Sequence, residues 1–141
     1  MIREYKEKDI DSIVGIWLEA SIKAHSFVPE EFWKNKVEDM RNIYIPNSET
    51  WVFDKNGEIE GFFSLYQNTL AAIFVDPRYQ SKGFGKELIR KAKSLRSLLT
   101  LTVYSENIDS VEFYKKQDFT IIKEQIDKHT NRNELVMQWN T

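Results

Sequence analysis

The chain is 141 residues long, 41% apolar and 30% charged, which suits one globular domain spanning 1–141 and excludes a disordered chain. A net charge of −2 argues against a general nucleic-acid partner; the absence of cysteine excludes disulfides, Cys-ligated zinc and a thiol acyl-enzyme, and with two histidines no metal is expected. No apolar run approaches the ~20 residues of a membrane span, and the polar start Met1–Lys6 lacks the apolar stretch of a signal peptide, so the expectation is a cytoplasmic protein with no membrane partner.

A short strand over Ile2 to Glu4 leads to Asp9, a candidate N-cap. Ile10, Ile13, Val14, Trp17, Leu18 and Ser21 then recur at helical spacing. Pro29 suits the first turn of a second helix, with Phe32, Trp33, Val37, Met40 and Tyr44 as its apolar stripe and Pro46 beyond its end. Thr50 to Asp54 reads as a strand, Lys55-Asn56-Gly57 as a hairpin turn, and a second strand runs through about Gln67. Leu70 to Val75 is a continuous apolar run, expected to be a strand buried on both faces and ended by Asp76-Pro77. From Phe84 the period turns helical through Leu88, Ala92 and Leu95; Leu99 to Val103 alternates as a strand. Ile108 to about Gln117 is helical again, and strands over Thr120 to Ile126 and Glu134 to Trp139 close the chain. The order βααβββαβαββ predicts an α/β fold with a mixed central sheet and about four helices.

Charge is unevenly spread. The segment 78–96 carries +6, with Glu87 its one acid, against −8 for the rest of the chain. A basic helix face is commonly just solvated, but this one opens on a glycine loop. Gln80-Ser81-Lys82-Gly83-Phe84-Gly85-Lys86 joins an apolar strand to an amphipathic helix, whose first N–H groups and dipole attract phosphate. A Walker A loop fails, because Glu87 follows Gly85-Lys86 and position 80 is Gln. A dinucleotide fingerprint fails too, since Leu88 stands where its third glycine belongs.

The remaining reading is a pyrophosphate loop of an acyl-CoA enzyme. Gln80-Ser81-Lys82-Gly83-Phe84-Gly85 resembles the Q/R-x-x-G-x-G/A signature of the GNAT acetyltransferases. Asn107 through Phe119 is similar to the N-x-x-S/A-x-x-F-Y-x-K-x-G-F element of that family, with Asp118 in place of the usual glycine. Asp tolerates the left-handed backbone that a helix C-terminus uses there.

The resemblance implies a GNAT fold with acetyl-CoA as co-substrate, lying where the Leu70–Val75 and Leu99–Val103 strands splay apart. It implies backbone pairing of Phe74 and Val75 with the pantetheine arm and pyrophosphate held by amides of the loop: Gln80, Ser81, Lys82, Gly83, Phe84, Gly85 and Lys86. Asn107 would contact pantetheine, though it also reads as a plain N-cap. Tyr114 would protonate the departing thiolate; its spacing from Val111 also suits an ordinary core tyrosine. The strand before the loop carries no acid, so the general base is open among ordered water, Glu106, Glu49 and His25. His25 is a candidate catalytic residue because Ala24-His25-Ser26-Phe27-Val28 borders the acceptor region in this fold, and it equally suits a structural role; His129 is assigned nothing.

The implied reaction is direct acetyl transfer to a primary amine of a small molecule or peptide, in a ternary complex. Dimers are common in the family, so the resemblance extends to a homodimer. Two rivals stand beside it: a non-catalytic acyl-CoA sensor, and an interaction domain whose basic 78–96 face binds an acidic partner.

Overall fold

The computed structural model describes residues 1–141. Seven strands form one sheet: β1 (Ile2–Glu4), β2 (Glu49–Lys55), β3 (Glu58–Tyr66), β4 (Thr69–Val75), β5 (Leu98–Tyr104), β6 (Thr120–Asp127) and β7 (Arg132–Asn140). Their spatial order is β1-β2-β3-β4-β5-β7-β6, antiparallel everywhere except β4 beside β5. The helices are α1 (Ile10–Ala24), α2 (Glu30–Lys34), α3 (Val37–Asp39), α4 (Phe84–Leu95) and α5 (Ile108–Lys116). The mixed α/β sheet expected from the sequence is present. No helix is long and apolar enough to cross a membrane.

Strand alternation sorts the core into two layers. Phe63 faces α4 and α5 with Leu88, Ile89, Ala92 and Val111, whereas its neighbour Phe62 faces α1 and α2 with Ile13, Trp17 and Trp33. The β2–β3 hairpin turns on Asn56 at φ 55° and Gly57 at φ 89°, the pair of positive angles that an Asn-Gly turn supplies.

Three local expectations are corrected. Asp9 does stand at the N-cap position of α1, but its side chain does not cap the helix; its carboxylate instead accepts from Lys6 N–H at 2.8 Å and from two nitrogens of Arg3 at 2.8 and 3.1 Å. Because Arg3 also donates to Asp54 at 2.9 Å, it straps β1 to β2 and to the start of α1. The second helix is divided into α2, α3 and a wide turn over Met40–Tyr44 whose closing bond runs from Ile45 N–H to Met40 C=O at 3.0 Å. The extra residue rotates the stripe, so Ile45 is buried and Tyr44 is 53% exposed. The third correction concerns β4. Only Leu70 is buried; Ala71 is exposed and the next four residues are half-buried. Its one side pairs with β3, while its other side meets β5 only at Thr69 opposite Thr100.

Candidate active site

Beyond Thr69 and Thr100 the two parallel strands separate, and a cleft of about 1750 Å³ opens between them. β4 is half-buried for that reason. The Asp76 N–H donates to Glu60 C=O at 2.8 Å, so backbone alternation turns Phe74 N–H and C=O toward β3 and those of Val75 toward the cleft. Of the two residues expected to offer backbone groups, Val75 turns them to the open edge, where its C=O is met by Gln80 Nε2 at 3.2 Å; Phe74 lines the cleft with its ring, against Phe62.

The glycine loop closes one end. Asp76 accepts from Arg78 N–H at 2.9 Å and from the Arg78 guanidinium at 2.9 and 3.3 Å, which holds its carboxyl below the usual range and fixes the turn Pro77–Tyr79. Gln80 Nε2 donates to Val75 C=O at 3.2 Å, and Lys23 Nζ donates to Gln80 Oε1 at 3.2 Å. The signature glutamine therefore ties the loop to the end of β4 and to α1.

Ser81 and Gly83 both have positive φ, 68° and 87°. Gly83 precedes α4 and no side chain caps that helix, so its first N–H groups are left for a ligand. A Cβ on Gly85 would lie 3.3 Å from Phe113 Cζ, so the absence of a side chain lets the loop pack on α5. Gln80, Ser81, Gly83, Phe84, Gly85 and Lys86 all line the cleft. The Lys82 side chain does not; its Nζ lies 5.9 Å from the Tyr79 ring centre. A cleft of this size with an uncapped helix start fits a phosphate-bearing ligand with a long arm.

A second part of the lining comes from the loop after β5 and from α5. Asn107 Oδ1 accepts from Ser110 N–H at 3.4 Å and caps α5. Its Nδ2 lies 3.3 Å from His25 Nε2, which joins the end of α1 to the start of α5. His25 is buried among Phe27, Trp33 and Tyr104, with ring centres 5.7, 5.0 and 5.1 Å away. Burial, partly offset by the Ser21 carbonyl, lowers its pKa to about 4, and its ring is neutral near pH 7. Tyr114 lines the cleft between Phe113 and Phe119, and burial pushes its phenol above the ordinary tyrosine range.

His25 and Tyr114 thus border one cleft, whereas Glu49 and Glu106 do not line it. Glu49 is paired with Arg96 and Trp51 Nε1, and Glu106 with Arg132.

Several cleft residues escaped the sequence reading. Tyr104 lies one residue beyond the Leu99–Val103 alternation, and its hydroxyl donates to Asp127 at 2.5 Å. Glu134 stands opposite Tyr104 across the β5–β7 ladder and so shares its sheet face. Lys23, Asp127 and Glu134 carry no local motif; only the hairpin register and the course of α1 bring them to the cleft.

Residues 3–135 match the acetyltransferase (GNAT) domain family. The chain belongs to the GNAT acetyltransferases. It is 31% identical over 140 residues to the peptidyl-lysine N-acetyltransferase YiaC of Escherichia coli K12, covering 99% of this chain and 96% of that one. The peptidyl-lysine N-acetyltransferase YjaB of the same organism is 29% identical over 121 residues, 85% of this chain and 82% of its own. The solution structure of apo YjaB superposes with a TM-score of 0.87 at 25% identity, covering 99% and 96% of the two chains. A crystal structure of the PaiA N-acetyltransferase of Thermoplasma acidophilum in complex with coenzyme A shares the fold, with a TM-score of 0.83 at 16% identity over 100% and 98%. This GNAT protein is accordingly an N-acetyltransferase, and its glycine loop and the Asn107–Phe119 element both line one cleft and touch where Gly85 meets Phe113.

Proposed function

We propose that this acetyltransferase moves the acetyl group of acetyl-CoA directly onto the ε-amine of a lysine in a peptide or protein. The observation that carries the reading is the divergence of β4 from β5, which leaves the start of α4, Val75, Asn107 and Tyr114 bordering a single cleft. The acceptor class is favoured by the peptidyl-lysine activity named for YiaC and YjaB. The acids Asp127 and Glu134 on the same cleft suit a cationic side chain.

In this reading the amides of the loop from Lys82 to Lys86 hold the pyrophosphate, and the open edge of β4 at Val75 receives the pantetheine arm as an added strand would be received. Asn107 contacts that arm from the loop after β5. The neutral amine attacks the thioester carbon, and the Val75 N–H stabilises the oxygen that gains charge. As the C–N bond forms, the C–S bond breaks and its electron pair leaves on sulfur, which takes the Tyr114 proton. One of the two amine protons passes to water, which returns a proton to the Tyr114 phenolate, and the other stays on the amide nitrogen. A phenol whose pKa is raised by burial stays protonated throughout the working range and is available as the acid. The reaction belongs to the cytoplasm, the compartment that supplies acetyl-CoA.

The test is a turnover assay with acetyl-CoA and lysine-containing peptides, reading free CoA thiol and the acetylated product by mass spectrometry. Thermal unfolding with and without acetyl-CoA runs beside it. Acetyl-CoA at a hundred times its Kd stabilises the fold by about 2.7 kcal/mol. Stabilisation with lysine acetylation supports the proposal. Stabilisation without transfer to any amine leaves a sensor, and turnover of polyamines but not peptides overturns the acceptor class.

A further inference from the structure

The Asn107 side chain is bound at both ends, and one bond dictates the sense of the other. Its oxygen accepts the Ser110 N–H at 3.4 Å, so its amide NH2 must point the other way, toward His25 Nε2 at 3.3 Å. An NH2 group only donates; Nε2 is therefore the acceptor in this bond, which places the ring proton on Nδ1, a buried nitrogen with no partner within hydrogen-bonding distance. The ring has little freedom to turn, being 8% exposed and enclosed by Phe27, Trp33 and Tyr104. Tyr104 is itself fixed by Asp127.

His25 also occupies a junction. It ends α1, with its own N–H donating to Ser21 C=O at 3.0 Å, and α1 lines the cleft with Trp17, Ala20 and Ser21. Asn107 caps α5, the helix that carries Tyr114 about two turns further along. A lone pair already engaged by an amide cannot take a proton from an attacking amine without first releasing that amide.

We infer that His25 is a positioning residue: through Nε2 it holds the Asn107 amide, and with it the start of α5, in the orientation that meets the pantetheine arm. This rests on the acetyl-CoA reading above for what the orientation serves. It replaces the role of general base that the sequence left open for His25.

Two measurements test it on the full chain. The first is independent of any ligand: long-range ¹H–¹⁵N spectra of the histidine rings. The expected signature is a neutral His25 carrying its proton on Nδ1 at pH 6–8, with the Asn107 side-chain amide resonances moving in the His25→Phe variant. A proton on Nε2, or a charged ring in that range, overturns the inference whether or not the protein turns over.

The second measurement is steady-state kinetics of His25→Phe, His25→Gln and Asn107→Ser, the last keeping a helix-capping hydroxyl without the amide. Phenylalanine fills the aromatic enclosure but cannot accept. It should raise KM for acetyl-CoA ~3- to 10-fold, the range of one lost neutral hydrogen bond, with a smaller change in kcat. Glutamine offers an oxygen near the Nε2 position and should restore KM to within about threefold of the parent. In the Asn107→Ser background, His25→Phe should add no further increase. A full effect of His25→Phe in that background, or His25→Gln no better than His25→Phe, refutes the inference. Absence of acetyl-CoA binding in the parent would refute the cofactor reading instead, and the spectra would still decide the His25–Asn107 bond.

Discussion

The two glycines of the loop serve different physical ends, and substitution separates them. Gly83 sits at φ 87° with no atom within 4 Å of where a Cβ would be, so Gly83→Ala adds no clash and its whole cost is backbone. Forcing an L-residue into the left-handed region costs about 1–2 kcal/mol, roughly 3–8 °C in Tm for a domain of this size. Asparagine tolerates that region better, so Gly83→Asn should recover a good part of the loss. Gly85 is the opposite case. A Cβ there would press on Phe113 at 3.3 and 3.6 Å, and Phe113 precedes Tyr114. Gly85→Ala should therefore displace the α5 ring and appear mainly in kcat. Thermal unfolding of the three variants with and without acetyl-CoA, followed by turnover, reads both effects. If Gly83→Asn loses as much as Gly83→Ala, the backbone account is wrong; if Gly85→Ala keeps full kcat, Phe113 yields without moving the tyrosine.

Tyr114→Phe should lower kcat ~10²- to 10⁴-fold while the acetyl-CoA Kd stays unchanged, by calorimetry; unaltered turnover would remove Tyr114 as the acid. Hydrogen bonds from Arg3 depress the Asp9 carboxyl, so its contribution is present above the ordinary Asp value and is lost as pH falls through the lowered one. Asp9→Asn should cost about 2–3 kcal/mol at pH 7 and flatten the acid limb of Tm below about pH 4; an unchanged limb would contradict the assignment. For His25 the sign is also toward acid loss: the folded ring titrates near 4 and the unfolded one near 6.5, so protons favour the unfolded chain between those values. Stability should decline from about pH 6.5 toward 4, and His25→Phe should remove that slope. With the amine proton passing to water, log kcat/KM for a lysine peptide should climb about one unit per pH unit until near the lysine pKa of ~10.4; a plateau above pH 7 would reveal a protein base.

Most of the architecture was legible because its signals are local. Asn56-Gly57 names its own turn, Phe62-Phe63 alternate between layers, and Gly83 through Leu95 carry both loop and helix in one stretch. That Gln80, Gly83, Gly85, Asn107 and Tyr114 share one cleft was legible for the same reason, since they fall in two short motifs that the fold brings together. What failed depended on distant partners. Asp9 looks like a cap until Arg3 and Asp54 are placed beside it. Tyr44 holds its place in the stripe until a five-residue turn substitutes Ile45. The end of the cleft with Tyr104, Asp127 and Glu134 was illegible, because these residues meet only through the β5–β7–β6 register.

The misreading of β4 is the instructive one, because an apolar run says that a strand avoids water without saying what covers it. In an ordinary βαβ unit the crossover helix lays the second strand along the first, and both are buried. Here α4 makes that crossover, yet β4 keeps its ladder with β3 and β5 keeps its own with β7, so neither strand needs the other beyond Thr69 and Thr100. The sheet is in effect two ladders hinged at one pair, reinforced by Thr100 N–H to Asn68 C=O at 2.9 Å. Backbone groups on the open edge are met by water, so leaving them unpaired costs little. A ligand carrying amides of its own can replace that water bond for bond. Its half-buried apolar side chains, Ile73 and Val75 among them, then gain cover from the same ligand. The apolar character of Leu70 to Val75 is therefore consistent with a strand whose second neighbour is a cofactor arm rather than a strand.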